Sequence, residues 1–217
     1  MTLNIEQIKK EYDDRQVKLN FLIEEIKFSL LQELNRNKIK IHSLIHRIKS
    51  IDSFLGKIRR KDIKEPFNEI HDLAGVRIIC LFLPDLQQIG SIIQNQFDVF
   101  EEDNKVDGGN EDIFGYMSLH YKAKLRNRVT VPAFEEINDY TFEIQVRTIA
   151  QDAWASISHY LDYKQESFLP TNLRRDFYAL SGLFYVADTH FTILRKEQSE
   201  FYIEKNLQGK NDGTTKG

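Results

Sequence analysis

With 217 residues, 41% of them hydrophobic, the chain can bury one sizeable core but not two independent ones, so a single domain is expected. Lys and Arg total 30 against 33 Asp and Glu, a net charge of -3 that excludes a globally basic nucleic-acid coat but permits a local basic patch. Cys80 is the only cysteine and lies in the apolar run "VRIICLFL", which excludes an intrachain disulfide and points to a buried, reduced thiol in a cytoplasmic protein.

The start of the chain, "MTLNIEQIKKEYDD", lacks an apolar signal core, and no later run approaches the roughly 18 apolar residues of a membrane span, so neither export nor a membrane partner is expected. From Ile5 to about Leu34, apolar residues recur at helical intervals (Ile5, Ile8, Tyr12, Leu19, Leu22, Ile23, Ile26, Leu30, Leu34) without Pro or Gly, which predicts one long amphipathic helix. Ile48, Ile51, Leu55 and Ile58 form a stripe that predicts a second helix over roughly Leu44 to Arg60, with a basic opposite face. Pro66 breaks that pattern, residues 76 to 83 read as a buried strand, and Pro84 and Asp85 open a helix to about residue 96.

A short strand over 97 to 103 is followed by a Gly-rich loop, residues 104 to 115, of a length often found at functional sites. Strands are expected at 116 to 126 and 140 to 147, separated by an irregular segment around Pro132. Helices follow at Ile149 to Tyr163 and Leu173 to about Asn206. Residues 1–206 then form the domain, and the polar, Gly-rich stretch 207–217 reads as a disordered tail. This order predicts an α+β fold: a small mixed sheet with helices packed on one face and extra helices at both ends.

In "FEIQVRT" (142 to 148) the alternation sends Phe142, Ile144 and Val146 to the core and Glu143, Gln145 and Arg147 to the other face. Tyr116, Ser118 and His120 repeat the pattern on the preceding strand, and Arg77 can join the same face with Asp72 just before it. A half-exposed sheet ordinarily shows polar residues to water. Here, however, three strands offer two acids, an aromatic, a histidine and arginines together. Asp72 and Glu143 are the acids placed to meet, and two hard carboxylates suit Mg²⁺, which keeps its other positions for water and substrate phosphates.

The basic segment strengthens the case for an anionic ligand. Residues 36 to 61 carry nine Lys or Arg against a single acid, Asp52, and Lys49, Ser53 and Lys57 fall at i, i+4, i+8 as phosphate ligands on one helix face would. No glycine lies in a GxxxxGK[ST] or GxGxxG pattern, so side chains must hold any nucleoside triphosphate. His42 and His46 lack an HExxH context for zinc, and Ser118 with His120 lacks a G-x-S-x-G elbow. Trp154 and His159 read as structural side chains.

Together, "RIKSIDSFLGKIRR" (47 to 60), "HDLAGVRIIC" (71 to 80), "GYMSLHY" (115 to 121), "EIQVRT" (143 to 148) and "AWASISHYLDYK" (153 to 164) resemble the synthetase domain of the RelA/SpoT family, in its small single-domain form. The resemblance implies a nucleotidyltransferase-like synthetase fold. It also implies transfer of the β,γ-pyrophosphate of ATP to a nucleotide 3'-hydroxyl, usually of GDP or GTP, to make the alarmone ppGpp or pppGpp. On that resemblance Arg47, Lys49, Ser53, Lys57 and Arg77 hold ATP, the two arginines bracketing adenine. Asp72 and Glu143 bind Mg²⁺, Glu143 also helps deprotonate the acceptor, and Lys105, Tyr116, His120 and Gln145 surround it, with Tyr116 stacking on its base.

Two regions depart from the guanine-nucleotide members. Glu111 and Asp112 precede Gly115 where further basic residues are usual, and acids there repel a diphosphate. Asp152 stands where an Asn near the acceptor base is common. Toxic relatives that pyrophosphorylate the 3' end of tRNA therefore offer a second reading, with the basic segment on the tRNA backbone and a neutralising antitoxin as partner. A third reading is a catalytically inactive nucleotide-binding regulator, against which the intact Asp72 and Glu143 count. Small members are often homotetramers, so the resemblance admits a homo-oligomer.

Overall fold

The computed structural model describes residues 4–104, 118–126, 128–161 and 171–212. Helix α1 (Ile5–Arg36) starts at Asn4, whose side chain accepts from the backbone N–H groups of Glu6 and Gln7. The expected stripe is buried from Ile8 to Leu34, and Ile5 alone of it is exposed. Each of these large side chains contributes roughly 1.5–3 kcal/mol by leaving water, which is what fixes so long a helix to the body.

Strand β1 (Ile41–Ile48) and helix α2 (Ile51–Lys61) occupy the region where one helix is expected from Leu44. Ile41, Leu44, Ile45 and Ile48 are spaced for a helix, but antiparallel pairing with β2 (Ala74–Cys80) makes the segment a strand. Ser50 then caps α2, and Phe54, Leu55 and Ile58 are its buried face. Lys49 consequently sits in the turn before α2, not on the helix with Lys57, and His42 and His46 lie on β1. A short helix α3 (Pro66–Glu69) leads into β2.

Helix α4 (Leu83–Gln96), strands β3 (Phe97–Asn104), β4 (Leu119–Leu125) and β5 (Phe142–Thr148), and helices α5 (Ile149–Leu161) and α6 (Thr171–Asp212) complete the order. A 3₁₀ segment, Pro132–Asp139, fills the irregular stretch expected around Pro132. The sheet runs β1-β2-β5-β4-β3, with β2 and β5 parallel and the other pairs antiparallel. Its apolar face, including Val76, Ile78, Phe142, Ile144, Val146 and Tyr121, is buried in one cluster with the inner residues of α1 and α4. α6 continues as a helix to Asp212, into the stretch expected to be a disordered tail.

Cys80 is fully buried, and burial followed by the nearby Asp85 carboxylate pushes its thiol up to about 12. Trp154 is likewise buried, beside Phe184 of α6. Among the described residues, no helix is long and apolar enough to cross a membrane.

At Gly90 of α4 a Cβ would collide with the Tyr121 hydroxyl on β4. The Tyr121 ring is 2% exposed and has no room to retreat. Gly90→Ala is therefore expected to destabilise the fold by about 1–3 kcal/mol despite the better helix propensity of Ala. A lowered urea midpoint at unchanged m-value would show it; an unchanged midpoint would mean the α4–sheet contact is looser than described.

Candidate active site

The polar face of the sheet is organised by register. Across β1, β2, β5 and β4, one row places Arg47 beside Gly75, Gly75 beside Glu143 and Glu143 beside Lys122; the next places Ile45, Arg77, Gln145 and His120 in line. A cavity of about 190 Å³ opens over these rows, lined by Arg47, Gly75, Arg77, Glu143 and Gln145 among others. Gly75 leaves its floor bare: an added Cβ would touch Arg47 Cγ at 3.9 Å, and anything longer would extend into the cavity.

Asp72 stands two residues before β2, held between two ammonium groups, with Lys49 Nζ at 2.8 Å from Oδ2 and Lys57 Nζ at 2.9 Å from Oδ1. Burial opposes its ionisation, but the two lysines outweigh burial and hold the carboxyl below its usual range. The turn that aims Lys49 is itself anchored. Tyr12 of α1 donates its hydroxyl to the Lys49 carbonyl at 2.9 Å, and Lys49 N–H donates to Leu73 O at 2.8 Å.

Glu143 is fixed at both oxygens. His120 Nδ1 lies 2.9 Å from Oε1, and Gln145 Nε2 donates to Oε2 at 2.9 Å. Burial raises its pKa and the Asp72 charge adds to that, yet the bonds from His120 and Gln145 prevail and keep it below the usual range. Because a carboxylate only accepts, Nδ1 carries the proton of the His120–Glu143 bond, while Nε2 meets the buried Ser118 hydroxyl at 2.7 Å. The Asp72 charge is felt at Glu143, so the two carboxylates share one side of the sheet's polar face. Among the described residues no group of three or more His, Cys, Asp or Glu converges as a metal cage would require. The hard carboxylate oxygens of Asp72 and Glu143 are the donor type that Mg²⁺ takes, with water and phosphate oxygens for the rest of its shell.

The structure thus brings together Arg47, Lys49, Lys57, Asp72, Arg77, His120, Glu143 and Gln145. Ser53 stands exposed in the first turn of α2, its hydroxyl bonded to Ser50 Oγ at 3.0 Å, with no described contact to the carboxylates. Lys105, Tyr116 and the acidic loop before Gly115 lie outside the described residues. Two participants were missed from the sequence as site residues. Asp152 accepts from both Arg77 and Arg147, and Ser118 supports His120. Arg147, although on the polar side of β5, is 4% exposed; burial, then the Arg77 charge, lower its pKa to about 10.

Comparisons with known proteins identify the family and the fold. Residues 46–167 match the family described as a region found in RelA / SpoT proteins. The chain is 31% identical over 179 residues to the GTP pyrophosphokinase YwaC of Bacillus subtilis, covering 79% of this chain and 83% of that protein. The crystal structure of small alarmone synthetase 1 from Bacillus subtilis superposes with a TM-score of 0.74 at 26% identity, over 88% of this chain and 99% of that one. The same synthetase bound to its product pppGpp gives 0.73 at 27%, over 87% and 98%. With the family region spanning more than half its length, the chain belongs to the RelA/SpoT family and has the fold of that family's small alarmone synthetases.

Proposed function

We propose that the protein transfers the β,γ-pyrophosphate of ATP to the 3'-hydroxyl of GDP or GTP, giving AMP and ppGpp or pppGpp. The observation that carries this reading is the carboxylate pair, one acid held by two lysines and the other by a histidine and an amide, beside an arginine-lined cavity. Arg47 and Arg77 bracket the adenine over the Gly75 floor. Lys49 and Lys57 exchange Asp72 for triphosphate oxygens, with Ser53 at the start of α2 adding a hydroxyl. Asp72 and Glu143 are the residues that hold Mg²⁺, which when bound neutralises charge gathering on the transferring phosphates.

Glu143 takes the proton of the 3'-hydroxyl as the oxygen bonds to the β-phosphorus and the bond from that phosphorus to the α-phosphate oxygen breaks, releasing AMP. His120 and Gln145 keep the accepting carboxylate aimed throughout, so orientation is fixed before the substrates arrive. Lys105 and Tyr116 complete the acceptor half, the latter by stacking on the base.

A second acceptor, the 3' end of tRNA, is favoured by one surface feature. Arg59, Arg60 and Lys61 form an exposed basic turn at the end of α2, close in sequence to the phosphate-facing Lys57. A nucleic-acid backbone would follow such a surface; a mononucleotide has no use for it. Incubation with γ-labelled ATP and GDP, GTP or deacylated tRNA separates the two. Label is expected in the guanine nucleotides, label in tRNA alone would reassign the acceptor, and nucleotide binding without label anywhere would mark a regulator.

A further inference from the structure

Four side chains from β2, β5 and α5 close into a ring beside the cavity. Arg77 donates from Nε to Gln145 Oε1 at 3.2 Å and from Nη1 to Asp152 Oδ1 at 3.1 Å. Arg147 spans the same two oxygens, with Nη2 on Gln145 Oε1 at 3.1 Å and Nη1 on Asp152 Oδ1 at 3.3 Å. One carboxylate therefore serves two guanidinium groups. Because Gln145 receives both arginines on its carbonyl oxygen, its NH₂ group is left to face Glu143.

The ring is rigid because Asp152 is placed by a fixed helix start. Thr148 N–H donates to Gln151 Oε1 at 2.9 Å and Gln151 N–H returns to Thr148 Oγ1 at 3.1 Å, a reciprocal cap on α5. The Thr148 hydroxyl in turn donates to Asp188 of α6 at 2.5 Å. A guanidinium gripped at two nitrogens cannot turn about its last bond, so Arg77 presents a set plane to the cavity.

We propose that Asp152 and Arg147 are positioning residues of the donor half: they hold the Arg77 guanidinium in the plane that meets the ATP base, and Asp152 does not read the acceptor. This rests on the reading in which Arg77 contacts ATP. It also gives a physical role to an acid at a position where the family resemblance suggests an acceptor-side amide. The carboxylate balances two arginines, and an amide there could bridge them by its oxygen but without charge.

The test compares the full chain with Arg77→Ala, Asp152→Ala, Asp152→Asn and Arg147→Lys, reading KM for ATP, KM for the acceptor, and calorimetric affinity for a non-hydrolysable ATP analogue. Asp152→Ala is expected to raise KM for ATP and weaken the analogue about tenfold, with the acceptor KM within about twofold. Asp152→Asn, which keeps the bridging oxygen, should return ATP binding to within about threefold of the parent. Arg147→Lys, which can reach one oxygen but not both, should fall between.

A rise in acceptor KM with ATP binding unchanged would overturn the proposal, because Asp152 would then touch the acceptor. Equal losses for both substrates with a lowered thermal midpoint would reduce the ring to scaffold and overturn it too. If Arg77→Ala weakens the analogue and Asp152→Ala does not, the positioning role alone fails. If Arg77→Ala leaves the analogue unaffected, the donor reading fails and takes this proposal with it.

Discussion

Glu143→Gln is expected to reduce pyrophosphate transfer by about 10³-fold, within the usual range for loss of a positioned general base, while leaving a folded protein that still binds nucleotide. The fold survives because the surrounding bonds can be re-made without moving a heavy atom far. Gln145 cannot flip, since Arg77 and Arg147 hold its carbonyl oxygen, so the new side chain must turn its own oxygen toward Gln145 Nε2. Its NH₂ group then faces His120 Nδ1, which can accept if the ring proton moves to Nε2 and is donated to Ser118 Oγ. The cost is about 1 kcal/mol or less in stability, read from a denaturation midpoint. Transfer of label from γ-labelled ATP at more than a tenth of the parent rate would remove Glu143 from the mechanism. The pH dependence has a definite sign. Because the Glu143 pKa is lowered, the carboxylate persists as pH falls, and the acid limb of activity due to this group should lie below the ordinary carboxylate range.

The parts of the site carried by local periodicity are legible in the sequence. The α1 stripe needed only the helical period, and "FEIQVRT" needed only alternation to separate the buried Phe142, Ile144 and Val146 from Glu143 and Gln145. β1 is not legible, because Ile41, Leu44, Ile45 and Ile48 follow the helical spacing and break the alternation of a strand. The deciding term is pairing with β2, far off in the chain. Of Lys49, Ser53 and Lys57, expected on one helix face, the two lysines meet at Asp72 from a turn and a helix, while Ser53 bonds to Ser50. The ring of Arg77, Gln145, Arg147 and Asp152 left no motif to find, since its members reach each other across 75 residues and three elements. In the sequence Asp152 stands out only as a departure near the acceptor; its bonds to Arg77 and Arg147 appear only in the fold.

Asp72→Asn is the second substitution with a large expected effect, and its two consequences run in opposite directions. In the parent, Asp72 competes with any phosphate for Lys49 and Lys57, whose side chains are only 12% and 21% exposed. Removing the negative charge frees both ammonium groups, so ATP without metal should bind several-fold tighter, about 1 kcal/mol at the effective dielectric of a half-buried pair. Turnover should nevertheless fall at least about 100-fold, because one of the two carboxylates that suit Mg²⁺ is lost. Stability should drop by about 1–3 kcal/mol as two half-buried lysines lose their shared counter-charge. The sign of its pH dependence follows from the lowered Asp72 pKa. The extra stability of the parent is present above the unfolded-state pKa and is lost as pH falls through the lower folded-state value, so the two proteins should converge in strong acid. Calorimetric titration of ATP in chelator, beside the same titration with Mg²⁺, reads the first two effects separately. Weaker binding of metal-free ATP by the variant would mean that Asp72 organises the lysines for phosphate instead of competing for them. The exchange of Asp72 for phosphate proposed above would then be wrong even if Glu143 remains the base.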